Sequence, residues 1–451
     1  MSDFCFESPV RTADGPTHHA APRMTAPAIV WWRLLVYAAG DFAFNLYWQS
    51  MMLYLLFYYT EALRLPIAQA AACYAIAMAW DGVAGLVVGV WADRHLTVAR
   101  YRAVIAAGTV PLGLCFVMAY AAPPHGIAVF AWVLTGHLLF RTCYSLVNIP
   151  YLALSARLCS TGADCARLAG WRMLAGTLAA LIVAVGTLPL GSTIAGNPGP
   201  VAYRAAALLF AGVGTLVLLA AVLAVPSLPD HEMPAARTSL RVLAGALSNR
   251  AFVNLGAAML AMILASTMID KAVLYYFKYA LHDQQAGQLT LGWMMATGAV
   301  AVPCWMAVAR RIGVVTGWFL AIGLCTAALV AFIGGWVVGA LALKAFLVVV
   351  QAALVGLSFT LWALLPGVIA RGEAAARISI GAVIYGLFAL IQRIGIGLGT
   401  LLLGLMLRGI GIAQGAAASE PLRLAIAAMP LGFLLLSAAV MLANPMVRRQ
   451  V

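Results

Sequence analysis

Tyr37-Ala-Ala-Gly-Asp-Phe-Ala-Phe-Asn-Leu-Tyr-Trp-Gln-Ser-Met-Met-Leu-Tyr-Leu-Leu-Phe-Tyr-Tyr-Thr60 is long and apolar enough to cross a bilayer as a helix, for which about 20 residues suffice. Yet it carries Asp41, Asn45 and Gln49, four residues apart and so on one helical face. A charge at the bilayer centre costs roughly 2.5–3.5 kcal/mol on insertion scales. Such a stripe faces a water-filled cavity or a helix interface rather than lipid, which points to a transporter.

The rest of the chain agrees. Hydrophobic residues make up 64% of the 451, charged ones 9%, and mean hydropathy is +0.99. Soluble domains run about 45–50% apolar and about 25% charged. Apolar runs recur from end to end, so the fold class is an all-α polytopic membrane protein. About twelve spans are expected. Their centres lie near Leu53, Val83, Leu112, Leu138, Leu181 and Gly212, then Ile263, Ala299, Ile322, Leu354, Ile391 and Leu434. The intervening segment holds Pro226, Pro229, Asp230, His231, Glu232, Pro234, Arg237 and Arg241 and reads as a hydrophilic linker. The expected organisation is a disordered tail (1–27), a six-helix bundle (28–225), a linker (226–250) and a second six-helix bundle ending in a short tail (251–451). Residues 1–23 lack an apolar signal-peptide core, and Met24 is an alternative start.

Charge placement gives orientation. One set of loops holds Arg94, Arg100 and Arg102; Arg157 and Arg167; Arg237 and Arg241; Arg310 and Arg311; Arg371 and Arg377; and Arg448 and Arg449. The opposite set holds Arg64, Arg204, Lys278, Arg408 and Arg423. Positive charge stays inside, so both termini and the linker are expected in the cytoplasm of a bacterial inner membrane. The net charge of +13 therefore reports topology and not nucleic-acid binding. The eight cysteines show no metal spacing, and those in apolar segments read as small core residues. Cys159 and Cys165 share a loop placed in the cytoplasm, where a disulfide is not expected. Six plus six spans around a linker suggest two pseudo-symmetric bundles with the substrate between them near the midplane.

The charges expected in or near the membrane are Asp41, Asp81, Arg141, Arg172, Asp270, Lys271, Glu373 and Arg393. Asp81 is mid-span, where a carboxylate suits a proton or metal cation; the plainer reading is a partner for a nearby arginine. Asp270 and Lys271 are adjacent and diverge by about 100°, so each should meet another helix. Arg172 and Arg393 offer two guanidinium forks to a hydroxyl-rich or carboxylate ligand. Tyr144 and Asn148 add uncharged hydrogen-bonding groups. Trp48, Trp80 and Tyr47 offer flat faces for a sugar ring, or are helix packing. Glu61, Lys278 and Lys344 lie near span ends and read as snorkelling. His137 reads as a packing residue, and Gly395-Ile-Gly-Leu-Gly399 as a close helix contact.

With these residues in place, the chain resembles the glycoside–pentoside–hexuronide:cation symporter family, the melibiose-permease branch of the major facilitator superfamily. The resemblance is carried by Tyr37-x-x-Gly40-Asp41 through Thr60, Trp80-Asp81, Gly89-x-x-x-Asp93-Arg94, Tyr144-x-x-x-Asn148-Ile-Pro150-Tyr, Asn249-Arg250-x-Phe252, Tyr275-Tyr276-Phe277 and Arg393-x-Gly395. It implies a twelve-helix bundle pair that moves a glycoside, uronide or related small polar solute with a cation by alternating access. Asp81 matches the principal cation-site carboxylate. Gly85 stands where a sodium-coupled member has its second carboxylate, and a sodium site needs several oxygen ligands, so a proton is the expected coupling ion. Asn45 and Asn148 stand where the melibiose permease has sugar-gripping Asp, Leu152 replaces its stacking Trp, Arg172 matches an Arg and Arg393 a Lys. Between spans 10 and 11, Gly367-Val-Ile-Ala370-Arg371-Gly372-Glu373 keeps only Gly372-Glu373 of the family's Asp-x-x-Asp-Tyr-Gly-Glu run.

The resulting assignment gives Asp81 and Asp41 to cation coupling. Asn45, Trp48, Gln49, Tyr144, Asn148, Arg172, Asp270 and Arg393 go to substrate binding, and Asp93, Arg94 and Glu373 to gating. No metal or cofactor is expected. The expected partners are a sugar-like small molecule and membrane lipids, on a monomer. The lost acids and retained bases suit a neutral or anionic ligand. A carrier of lysolipids or other amphiphiles, or an exporter, remains open on the same fold. A membrane-embedded enzyme is disfavoured, because no nucleophile–base pair, metal cluster or nucleotide loop appears.

Overall fold

Helices follow one another without strands among the described residues, which in this computed structural model are 31–96, 98–158, 162–197, 199–225, 250–376, 381–410 and 419–444. Side chains near the helix ends at 93–94, 155–157, 162–167, 366–376 and 381–386 lie outside that description. Span 1 is assembled from Trp31–Ala38, Gly40–Leu53, Leu55–Phe57 and a π-helical turn, Tyr58–Ala62. Spans 2 to 6 are Ile67–His95, Val98–Ala119, Val129–Arg157, Gly162–Ala195 and Pro200–Ala224. Spans 7 to 12 are Arg250–Tyr279, Gln284–Ile312, Val314–Ile333, Ala340–Ala376, Gly381–Gly409 and Ser419–Leu442. The tail 1–27 and nearly all of the linker fall outside the described residues.

Among the described residues, ten of these helices are long and apolar enough to cross a membrane by themselves. The two that are not are informative. Span 1 is broken into pieces, and span 4 buries His137 and Arg141 at 0% exposure. Leu86, Leu114, Leu216, Leu223, Val300 and Leu341 are exposed on the outside of the bundle, as lipid-facing residues should be. This is a multi-pass membrane protein.

The irregularity within span 1 is local. At Tyr54 the backbone is distorted (φ −113°, ψ −23°), although its N–H still donates to the Ser50 carbonyl at 3.0 Å. Side chains of other spans donate to carbonyls just before this point, where no bilayer water can. Tyr74 Oη donates to the Met51 carbonyl at 3.2 Å, and Lys271 Nζ to the Met52 carbonyl at 2.7 Å. Between spans 8 and 9 the reversal is made at Gly313, whose φ of 86° is left-handed and favours glycine.

Side chains staple helices to one another within each half. In the N-terminal half, tyrosine hydroxyls donate across helices to backbone carbonyls. These bonds run from Tyr37 to Tyr151, Tyr47 to Ala211, Tyr54 to Ala184, Tyr58 to Tyr120, Tyr59 to Val133 and Tyr120 to Ser50. In the C-terminal half the corresponding bonds described are Trp305 to Ala352, Ser437 to Ala258 and Asn444 to Ala251.

The halves meet along two seams, span 2 with span 11 and span 5 with span 8. Glycines set the first. A Cβ on Gly397 would lie 3.1 Å from Met78 Cβ, and one on Gly404 2.3 Å from Ala71 Cβ. Gly395 and Gly399 face Ile263 and Thr267 of span 7 instead. The glycine run is thus a close helix contact on two sides, as the sequence indicates.

Candidate functional site

Two cavities lie between the halves. The larger, about 500 Å³, takes Asp41, Asn45 and Gln49 from span 1, Arg172 from span 5, Met295 from span 8 and Gln351 from span 10. The smaller, about 230 Å³, takes Trp48 and Gln49 from span 1, Asp270 and Lys271 from span 7, Trp362 from span 10 and Gln392 from span 11. Gln49 and Met295 line both, so the two adjoin. The polar stripe of the opening sequence therefore does face an open centre.

Asp41 is held by a guanidinium fork. Arg172 Nε donates to Oδ2 at 2.5 Å and Nη2 to Oδ1 at 3.1 Å. Tyr151 Oη lies 2.8 Å from both Asp41 Oδ2 and the Tyr37 carbonyl. Its ring stacks on Tyr37 with centroids 4.5 Å apart. Gly40 makes room for this, because a Cβ there would lie 2.7 Å from the Tyr151 ring. Asn45 turns its amide back onto its own helix, donating to the Asp41 carbonyl at 2.8 Å. A Cβ on Gly176 would lie 2.8 Å from that amide nitrogen.

Asp81 is 4% exposed and sits among cations. Arg393 Nε lies 3.0 Å and Arg141 Nη1 3.9 Å from Oδ2, both as ion pairs without hydrogen-bond alignment. Ser145 Oγ donates to Oδ1 at 3.5 Å. The Arg393 pair joins the two halves. Both guanidinium groups also lie over the Trp48 ring, at 4.2 Å for Arg393 and 4.9 Å for Arg141. Cations on an aromatic face add roughly 0.5–2 kcal/mol each. Arg141 Nε donates to His137 Nε2 at 3.3 Å, so His137 serves the interior as packing and acceptor.

Several expectations need correction. The two guanidinium forks do not share a cavity: Arg172 lines the larger one, while Arg393 lines neither and covers Trp48. Tyr144 is buried among Phe44, Trp48 and Phe140, and Asn148 lines neither cavity. Tyr47 is fully buried against Phe116, so it offers no face to a ligand. Lys271 does meet another helix, but Asp270 does not find a partner there: its Oδ1 is buried with no hydrogen-bond partner among the described residues. Glu61 and Lys278 do not snorkel. They form an ion pair across the halves, with Tyr279 Oη donating to Glu61 at 2.8 Å and Thr60 Oγ1 2.9 Å from Tyr275 Oη. The side chains of Asp93, Arg94 and Glu373 lie outside the described ones. Arg141 was legible as a membrane charge, but nothing in its spacing linked it to Asp81.

Twelve helical spans thus surround a polar, part-charged centre. The family model described as MFS/sugar transport protein matches residues 36–447, and the chain belongs to that family, one of transporters and not enzymes. It is 26% identical over 250 residues to the inner membrane symporter YicJ of Escherichia coli, covering 54% of each chain. The chain thus spans about half the length of that relative. It is 25% identical over 423 residues to the glucuronide carrier protein homolog of E. coli, covering 90% of this chain and 91% of that one. A crystal structure of a bacterial homologue of the human lysosomal transporter Spinster superposes with a TM-score of 0.70 at 15% identity, over 92% of this chain and 96% of that one.

Proposed function

We propose that this protein is a proton-coupled symporter of an anionic or hydroxyl-rich sugar derivative, imported across a bacterial inner membrane by alternating access. One observation carries the reading: the cavity between the halves joins a guanidinium fork to a row of amides. Arg172, Asn45, Gln49 and Gln351 are the groups that ring hydroxyls and a carboxylate require. The charge balance points the same way. Arg141, Arg172, Arg393 and Lys271 stand against Asp41, Asp81 and Asp270, an excess of at least one positive charge. The likeness to a protein named as a glucuronide carrier homolog supports an acidic sugar. With the termini in the cytoplasm, the Glu61–Lys278 contact closes the outer face and the larger cavity serves the inner one.

A second reading has its own observation. An apolar groove of about 410 Å³, lined by Leu35, Ala39, Trp171, Leu174, Leu178 and Val217, runs beside the Asp41–Arg172 pair. A polar pair next to an apolar groove also suits the head and tail of a lysolipid. Thermal unfolding of the detergent-purified protein against neutral glycosides, uronides, small organic acids and lysolipids separates the two. A ligand at about 100 times its Kd stabilises a fold by about 2.7 kcal/mol. A shift with uronides or glycosides supports the first reading; a shift confined to lysolipids replaces it with the second.

A further inference from the structure

Four carboxylates described in the membrane have very different company. Asp41 is forked by Arg172, Asp81 lies between Arg141 and Arg393, and Glu61 is paired with Lys278. Asp270 takes part in none of the described ion pairs. It lies in the second half of span 7, a 30-residue helix, and lines the smaller cavity, while its Oδ1 is buried without a hydrogen-bond partner among the described residues. An ionised carboxylate with an orphaned buried oxygen is costly, and the neutral acid removes that cost.

The surroundings are correspondingly short of charge. From span 1 the cavity presents Gln49, from span 10 Ser358 and Trp362, and from span 11 Gln392. From span 8 Met295 lines the cavity. Among the described residues, the charged neighbour is Lys271 on its own helix. Its ammonium is turned away, donating at 2.7 Å to the Met52 carbonyl and standing 4.0 Å over the Tyr74 ring. Met52 and Tyr74 belong to the opposite half. When the halves rock apart on that side, Lys271 loses both partners and its charge is freed next to Asp270.

We propose that Asp270, rather than Asp81, carries the coupling proton, and that the Lys271–Met52 tie links its ionisation to the conformation of the halves. This rests on the proton-symport reading above. The proton leaves a carboxyl oxygen of Asp270 for water in the cavity and is regained from water after the halves have rocked.

The first test needs no substrate. Infrared difference spectra of the full-length protein in lipid, taken between acidic and alkaline pH, read the carbonyl stretch of a protonated carboxyl. The band should be present in the wild type, absent in Asp270→Asn and displaced in Asp270→Glu. A band that survives unchanged in both variants overturns the assignment, as does a wild type without one. The Glu variant keeps the result decisive if the Asn variant fails to fold. The second test uses proteoliposomes and p-nitrophenyl β-D-glucuronide. The wild type should concentrate the probe under a pH gradient, Asp270→Asn should not, and Asp270→Glu should concentrate it with a displaced pH dependence. If Asp270→Asn also concentrates it, the assignment to Asp270 falls and symport stands. If the wild type exchanges the probe but gains nothing from the gradient, the symport reading falls and takes the proton-carrying role with it.

Discussion

Asp81 has two cations and one negative charge to offer them. Removing one partner of a buried ion pair costs about 3–5 kcal/mol, chiefly because the other charge is left behind. Asp81→Asn leaves Arg141, at 0% side-chain exposure, and Arg393 facing each other across Trp48. It should therefore sharply lower the unfolding temperature and the folded yield in detergent. The double variant Asp81→Asn/Arg393→Gln should recover part of that loss, a coupling measured by a double-mutant cycle. Independent losses that simply add would show that the pair is not the cause. At this scale the sequence was partly legible. The spacing of Asp41, Asn45 and Gln49 predicted a cavity face, and that face is there, because helical periodicity alone sets it. The partners of Asp81 and Arg172 lie 60 to more than 300 residues away, and no local pattern encodes which arginine a carboxylate meets. Tyr144 was misjudged for a related reason, and Tyr47 took the packing alternative: a hydroxyl on a membrane helix looks the same in sequence whether it greets a ligand or is buried in helix packing.

Two elements bear on the motion that the proposed alternating access would need. The first is the end of span 1, where the π-helical turn presents Thr60 and Glu61 to Tyr275, Lys278 and Tyr279 of span 7. These side chains are partly exposed, so the latch is worth about 1 kcal/mol, or roughly fivefold in population. Glu61→Gln should raise the labelling by an impermeant maleimide of a cysteine placed at Gln49, and a Glu61→Lys/Lys278→Glu swap should restore the wild-type level. Unchanged labelling in the single variant would remove the latch from the cycle. The second element is the glycine seam of span 11. Gly404→Val forces a side chain where Ala71 already stands, and such overpacking costs about 1–3 kcal/mol. It should lower thermal stability and suppress transport together. The seam was readable, since small residues in a membrane helix mark close approach. The irregularities of span 1 were not, because neither Ala39 nor Tyr54 is a breaker by itself; the tyrosine and lysine that donate to the Met51 and Met52 carbonyls come from other spans.

For the whole molecule, the asymmetry of basic loops predicts orientation directly. Alkaline phosphatase fused after Gly126, in the turn between spans 3 and 4, should be active, and a fluorescent protein fused at the C-terminus should glow; the reverse pattern would invert the reading of both faces. The twelve-span layout was legible because bilayer thickness fixes helix length. The tyrosine staples of the first half were not, because they depend on which hydroxyls reach a neighbouring carbonyl. They have a consequence for biogenesis. The ribosome delivers the N-terminal half first, and domains generally fold in the order they emerge. A half tied by its own tyrosine-to-carbonyl bonds needs no waiting partner. A chain halted after residue 225 should then resist protease in the membrane.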